Sequence, residues 1–101
     1  MSLRRQYRKT GTTCTVTFTL PKAGAGKATS VHLVGDFNGW DKTATPMKKQ
    51  KNGSFAASLS LERGREYQFR YLLDGERWEN DWQPDKYLRN AFGSDNSVVV
   101  V

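Results

Sequence analysis

The fold is decided by one stretch of sequence, YQFRYLLDGERW at residues 67–78. Its alternation gives one face Tyr67, Phe69, Tyr71 and Leu73, and the other face Gln68, Arg70 and Leu72. A period of two is typical of a β-strand that buries one of its faces. The strand is followed by Asp74-Gly75, a strong signal for a tight hairpin turn. The stretch therefore predicts an antiparallel hairpin whose outer face carries Arg70 and, after the turn, Trp78.

Strand-like segments continue on both sides of this hairpin. In TCTVTFTL, residues 13–20, apolar side chains alternate with threonines, and Asn52-Gly53 predicts a second hairpin turn. Strands are predicted at residues 13–20, 30–37, 46–49, 54–61, 67–75, 76–80 and 97–101. Residues 21–29 and 81–96 are predicted to be loops, and no segment has a clear helical period. About seven short strands separated by turn signals indicate an all-β, immunoglobulin-like antiparallel sandwich.

Length and charge suit a single small domain with a basic start. The chain has 101 residues, of which 37% are hydrophobic, and its net charge is +6. Residues 1–30 hold six basic and no acidic side chains, so the remaining residues, with ten of each, are neutral overall. We therefore predict a basic N-terminal arm at residues 1–11 and a sandwich domain at residues 12–101. Because the excess lies in residues 1–30, a nucleic-acid surface on the rest of the domain is not expected.

Several function classes are disfavoured by composition. The single cysteine, Cys14, cannot form an internal disulfide, which fits a reducing cytoplasm. With one histidine, a His/Cys metal cluster is not expected, and no cofactor is predicted. No apolar run approaches the ~20 residues that cross a membrane. Residues 24–29, GAGKAT, depart from the phosphate-loop pattern, and a sandwich of this size hardly walls off a glycosidase cleft. We therefore predict no catalytic residues.

Tryptophans and an arginine at predicted surface positions indicate a binding surface. Trp40 ends the turn GDFNGW at residues 35–40, and Arg70 and Trp78 are predicted to share an outer sheet face. An indole is flat and rigid, so it can stack on the weakly polar face of a pyranose ring. A guanidinium or an amide can then bond the hydroxyl groups at the ring edge.

The order GDFNGW, YQFRYLLDGERW and FGSDNSVVVV resembles carbohydrate-binding module family 48 over about residues 16–101. That family includes the glycogen-binding domain of the AMP-activated protein kinase beta subunit. It also includes the N-terminal early-set domains of isoamylases and branching enzymes. The resemblance implies an immunoglobulin-like sandwich, without catalytic activity, that binds α-1,4-glucans such as glycogen, starch or maltodextrins.

The resemblance also implies a set of carbohydrate-binding residues: Trp40, Arg70, Trp78, Phe92, Ser94 and Asn96. Arginine replaces the kinase domain's lysine, phenylalanine its leucine and serine its threonine, and the turn before Trp78 is one residue longer. We assign Trp82 to structure, and Asp36 to capping the loop that holds Trp40.

Other functions remain open. The domain could be a protein-interaction or packing module, related to isoamylase and branching-enzyme N-terminal domains, with little sugar binding of its own. Its tryptophans would then pack against a glycogen-metabolising enzyme or a kinase. Single-stranded nucleic-acid binding, which interleaves basic and aromatic residues, is not expected here.

Overall fold

Two antiparallel sheets pack face to face in the computed structural model, which describes residues 3–101. The strands in this range are β1 Leu3–Tyr7, β2 Thr13–Leu20, β3 Val31–Gly35, β4 Lys48–Lys49, β5 Phe55–Glu62, β6 Glu66–Leu73, β7 Arg77–Glu79, β8 Lys86–Arg89 and β9 Asp95–Val100. The first sheet has the order β1-β2-β5-β4, and the second has the order β3-β6-β9-β8, with β7 also paired to β6. The predicted antiparallel sandwich is confirmed.

The core lies between the sheets, as the alternation predicts. Buried side chains from β2 are Cys14, Val16, Phe18 and Leu20, and those from β6 are Tyr67, Phe69, Tyr71 and Leu73. The Phe18 and Phe69 rings meet edge to face, with their centroids 5.0 Å apart and their planes at 75°. Edge-to-face contact is a favoured aromatic geometry, worth about 0.5–1.5 kcal/mol beyond the area it buries. The two long central strands therefore join the sheets through aromatic side chains.

Both predicted hairpins are present. Asn52 and Gly53 lie in the turn between β4 and β5, whose first pair is Lys49 with Phe55. Asp74 and Gly75 join β6 to β7, and both have positive φ, 52° and 73°. The N–H of Glu76 donates to the carbonyl of Leu73 at 3.1 Å, which closes the turn.

Two strands were not predicted. The segment set apart as a basic arm supplies β1, which pairs with β2 along its whole length and buries Leu3; Met1 and Ser2 of that arm lie outside the described residues. Arg5 forms an ion pair with Asp85. The predicted loop 81–96 contains β8, whose four residues are all exposed. Both are edge strands, and neither carries the alternation of buried and exposed side chains that reveals a strand in a sequence.

A single helical turn, α1 Lys22–Ala25, lies in the predicted loop 21–29. Four residues are too few to display a helical period of 3.6, so the pattern could not reveal it. Gly24 and Ala25 of this turn are buried. None of the helices within residues 3–101 combines the length and the apolar character that crossing a bilayer requires.

A buried carboxylate ties the segment after β7 to the second sheet. Asp81 is 1% exposed, and its Oδ2 accepts a hydrogen bond of 2.7 Å from the hydroxyl of Tyr71. Its Oδ1 accepts from the N–H of Gln83 at 2.8 Å, and its own N–H donates to the hydroxyl of Ser97 at 2.9 Å. Burial, helped by the charge of Asp81, raises the pKa of Tyr71 well above 10.

We expect Tyr71→Phe to lower the free energy of unfolding by about 1–3 kcal/mol, because the buried Oδ2 of Asp81 loses its donor. Chemical denaturation measures the change. Tyr67→Phe is the matched control, since its hydroxyl donates to the backbone carbonyl of Glu62 in a partly buried position. That variant should lose about 0.5–1.5 kcal/mol, the usual net value of a neutral hydrogen bond. Equal losses in the two variants would contradict the role given to Asp81.

The turn after β6 is also held by its own side chain. Oδ1 of Asp74 accepts from the N–H of Ser30 at 3.0 Å and from the N–H and hydroxyl of Thr29 at 2.9 and 3.1 Å. These bonds favour the ionised carboxylate, so they lower its pKa from 3.8; the N–H groups of Ser30 and Thr29 are the largest causes. Asp74 thereby links the β6–β7 turn to the start of β3.

This lowered pKa predicts a stability difference that depends on pH. Because the pKa is lower in the folded state, the carboxylate stabilises the fold above its unfolded pKa, near 3.8, and the contribution disappears as pH falls through the lower, folded pKa. Asp74→Asn removes the titration but keeps a residue that tolerates positive φ. The stability gap between the wild type and Asp74→Asn should therefore narrow on acidification below pH 4, measured by urea unfolding. If the stability difference between the wild type and Asp74→Asn does not change with pH, the ionised carboxylate of Asp74 does not stabilise the fold.

Candidate functional site

The outer face of the second sheet carries Arg70 beside Trp78. The register pairs Trp78 of β7 with Leu72 of β6, which places the indole on the same face as Arg70. The guanidinium carbon lies 5.4 Å from the centre of the Trp78 ring, within the range of a cation–π interaction. Both side chains are partly buried. The predicted neighbourhood of these two residues is therefore present.

The turn GDFNGW divides its two aromatic residues between the core and the surface. Phe37 packs inward, with its ring centroid 5.4 Å from that of Phe18. Gly35 permits this packing, since a Cβ there would lie 2.9 Å from Cζ of Phe37 and 2.5 Å from the carbonyl oxygen of Gln68. Trp40 is partly buried and lies outside the core cluster. The phenylalanine, not the tryptophan, therefore packs against the core, and the indole stays at the surface.

Trp40 is held in a strained backbone position. Its φ is 59°, and Gly39 before it also has a positive φ of 65°. A non-glycine residue in this region costs about 1–3 kcal/mol and persists only where its surroundings enforce it. Here the N–H of Trp40 donates to the carbonyl of Gly35 at 2.9 Å. Strained positions of this kind cluster at active sites and ligand-binding sites.

Asp36 connects this indole to β6. Its Oδ1 accepts from Nε1 of Trp40 at 2.9 Å, and its Oδ2 accepts from the N–H of Gln68 at 2.7 Å. One carboxylate therefore fixes the ring of Trp40 relative to the strand that carries Arg70. Asp36 has a structural role in the loop, and that role also orients the candidate site.

An amide chain links β6 to the loop between β8 and β9. Nδ2 of Asn96 donates to Oε1 of Gln68, and Nδ2 of Asn90 donates to Oδ1 of Asn96, each at 3.1 Å. Oδ1 of Asn90 also accepts from the N–H groups of Phe92 and Ser94, at 2.9 and 3.1 Å. Asn90 thus shapes the loop that presents these two residues. Phe92 is 93% exposed, while Asn96 is only 7% exposed.

The predicted site residues are brought to this surface in different ways. Arg70 and Trp78 are in contact, whereas Trp40 and Asn96 reach β6 through Asp36 and Gln68. Phe92 and Ser94 are set by Asn90. Sequence analysis did not single out Gln68 or Asn90. The alternation does place Gln68 on the face of Arg70, but nothing in the pattern distinguished Asn90 from an ordinary loop residue.

The structure gives the three tryptophans different degrees of burial. Trp40 and Trp78, which were predicted at surface positions, are both partly buried, one beside Asp36 and the other beside Arg70. Trp82, which was assigned to structure, is 53% exposed. A tryptophan side chain is large enough to be anchored at one edge while the rest of the ring stays in solvent. Sequence alone does not reveal what fraction of the ring is exposed.

We expect Asp36→Ala to release the indole of Trp40. The substitution removes the acceptor of Nε1–H, so this proton should exchange with solvent faster, and the fold should lose about 1–3 kcal/mol. NMR hydrogen exchange of the indole proton and thermal unfolding measure the two effects.

Asp41→Ala provides the matched control for this variant. Asp41 is an exposed carboxylate one residue beyond Trp40, and its Oδ1 accepts from the N–H and the hydroxyl of Thr43, at 2.9 and 3.0 Å. Removal of the Asp41 carboxylate should leave the exchange rate of the Trp40 indole proton unchanged. If the Trp40 indole proton exchanges at the same rate in the wild type and in Asp36→Ala, Asp36 does not hold the ring.

Comparison with known proteins identifies the family. Residues 21–88 match the model of the family described as Carbohydrate-binding module 48 (Isoamylase N-terminal domain). The matched range includes Trp40, Arg70 and Trp78, and it ends before Phe92. Members of this family are binding modules without catalytic activity, so the prediction of a non-enzymatic domain is confirmed.

Two relatives share most of this chain. Protein PTST homolog 2, chloroplastic, from Arabidopsis thaliana is 35% identical over 74 residues, which are 73% of this chain and 13% of the relative. The 1,4-alpha-glucan branching enzyme GlgB from Butyrivibrio fibrisolvens is 57% identical over 71 residues, which are 66% of this chain and 10% of the enzyme. The matched region is thus a small part of each relative. The chain belongs to carbohydrate-binding module family 48.

Proposed function

We propose that this domain binds α-1,4-glucans, such as glycogen, starch or maltodextrins, on the outer face of its second sheet. The observation that carries the proposal is the Arg70 guanidinium, 5.4 Å from the centre of the Trp78 ring on the outer face of the second sheet. Membership of the family supports a carbohydrate ligand. The name of one relative, a 1,4-alpha-glucan branching enzyme, supports this class of sugar.

The two indoles would supply the stacking surfaces. Each is rigid, so a pyranose ring can rest on it at small entropic cost. Trp40 is oriented by Asp36, and Trp78 is oriented by Arg70. A preoriented ring retains more of the contact energy, because less side-chain freedom is lost on binding.

Arg70 and the loop between β8 and β9 would bond the sugar edges. Nε of Arg70 is buried and has no partner in residues 3–101, so the donors aimed at a ligand would be those of its terminal nitrogens. Phe92 offers an exposed apolar ring and Ser94 an exposed hydroxyl. The amide of Asn96 donates one N–H to Gln68, and its oxygen accepts a hydrogen bond from Asn90. Its second N–H is left to donate to a sugar hydroxyl.

An uncharged ligand also separates this function from nucleic-acid binding. Neutralisation of phosphates makes nucleic-acid affinity fall steeply with salt. Stacking of a neutral sugar involves no such release of counterions. Affinity for β-cyclodextrin should therefore change little between 50 and 300 mM salt, whereas binding of a single-stranded oligonucleotide that weakens steeply over the same range would favour the nucleic-acid alternative.

Trp40→Ala should weaken binding of β-cyclodextrin by about 2 kcal/mol, or roughly 30-fold in Kd, the size of a hot-spot aromatic. Calorimetric titration measures this without relying on tryptophan emission. The control is Tyr7→Ala, which removes an exposed aromatic residue from β1 in the first sheet and should leave Kd unchanged. Failure of the folded wild type to respond to millimolar β-cyclodextrin or maltoheptaose would overturn the proposal.

A second candidate function is a packing or interaction module. It is favoured by the branching-enzyme relative, in which the matched region is 10% of a larger protein, and by the 93% exposure of Phe92. The partner would be a glycogen-metabolising enzyme or a kinase. Stable capture of such a partner, together with no response to glucans, would favour this alternative. A cytoplasmic location stays a prediction from the single cysteine.

A further inference from the structure

The three tryptophans differ in exposure, and the one outside the candidate site is the most exposed. Trp82 is 53% exposed, whereas Trp40 and Trp78 are partly buried. It lies in the segment between β7 and β8, directly after the buried Asp81. An exposed aromatic ring indicates a binding surface where it lines a concave site together with a few polar groups.

Trp82 lines a groove of about 490 Å³ at the end of β2. The groove is also lined by Thr19, Pro21, Lys22, Asn52 and Ser54. Thr19 alternates with the buried Phe18 and Leu20, so it points to the outer side of the first sheet. The proposed platform of Trp40, Arg70 and Trp78 is carried by the second sheet instead. The two surfaces share no residue.

The indole of Trp82 is fixed at one edge. A Cβ on Gly24 would lie 3.5 Å from Cζ2 of Trp82 and 2.9 Å from Cδ1 of Leu20, so the ring approaches α1 where that turn has no side chain. Nε1 of Trp82 lies 3.4 Å from Oε1 of Glu79. An edge-anchored ring with an open surface has the same physical character as the two indoles of the proposed platform.

The rest of the groove supplies mainly neutral hydrogen-bonding groups. Oδ1 of Asn52 already accepts from the N–H and hydroxyl of Ser54, at 3.0 and 2.7 Å, so its Nδ2 is the group left to donate. The stem of Lys22 crosses the hairpin closely: a Cβ on Gly53 would lie 2.8 Å from its Cδ. Amide and hydroxyl groups around one aromatic ring match a polyhydroxylated ring better than an apolar or strongly charged ligand.

We propose that this groove, beside Trp82, is a second contact site for α-glucan chains. The proposal rests on the proposed function, because it assigns the same class of ligand to another surface. An α-glucan repeats the same pyranose unit, so a long or branched polymer can occupy both sites of one domain. Occupation of two sites raises avidity for a polysaccharide without changing the affinity of either site for a short oligosaccharide.

NMR can test the two sites separately, because the three tryptophans give three indole N–H signals. In a titration with maltoheptaose, the Trp82 signal should shift with its own midpoint. It should still shift in Trp40→Ala, in which the first site is weakened. If the Trp40 and Trp78 signals shift to saturation while the Trp82 signal stays fixed, the second site is wrong and the proposed function stands. If only the Trp82 signal shifts, the first site is wrong, and if no signal shifts, both fail.

A polysaccharide assay supplies an independent readout. Trp82→Ala should bind β-cyclodextrin with the wild-type Kd but be retained on immobilised glycogen about three- to tenfold less, the factor expected when the effective concentration of the linked ligand exceeds the Kd of the second site about two- to ninefold. Tyr7→Ala, which removes an exposed aromatic residue from β1 of the first sheet, should be retained like the wild type. Unchanged retention of Trp82→Ala would overturn the second site. If Trp82→Ala does not fold, the wild-type titration still decides.

Discussion

The period of two along β6 is the constraint on which the other features depend. This strand lies inside the second sheet and pairs with β3, β7 and β9. One of its faces supplies the aromatic core, and the other presents Gln68 and Arg70. A shift of the register by one residue would exchange the two faces, placing a guanidinium among the core rings. The same pattern that buries the core therefore also positions the candidate site, so the stability of the fold and the geometry of that site are specified together.

The loops complete what the strand begins, and they do so with polar side chains rather than with packing. Asp36 orients Trp40, and Asn90 shapes the loop that carries Phe92. Short polar side chains that bond nearby N–H groups hold irregular backbone in one conformation at little cost in volume. The positive φ of Trp40 indicates that this conformation is strained, and its indole and backbone N–H bonds enforce it. A surface built in this way is largely preformed, which suits a ligand that offers only weak contacts.

The parts of this structure that sequence could predict are those with a strong local signal. The central strands, β2 and β6, have clean alternation, and both hairpins have turn residues that demand positive φ. The edge strands β1 and β8 lack such a pattern, because neither buries a whole face. At the site, alternation was enough to place Arg70 and Trp78 together. The hydrogen bonds of Asp36 and the amide chain through Asn96 depend on contacts between distant segments, which periodicity does not report. The exposure of Trp82 likewise depends on how α1 lies against it.

Because β1 is a strand of the first sheet, the basic side chains near the N-terminus can contribute to the stability of the sandwich. The excess lies in residues 1–30, which by charge alone could form an arm for a polyanion. Arg5 instead pairs with Asp85, and its Nε donates to the carbonyl of Val100 at 3.0 Å. Arg5 therefore links β1, an edge strand of the first sheet, to the start of β8 and the end of β9 in the second sheet. A guanidinium suits that task because its planar fork can bond a carboxylate and a carbonyl together. At least part of the N-terminal charge thus stabilises the sandwich, while the candidate site on the other sheet relies on flat rings and neutral amides around one guanidinium.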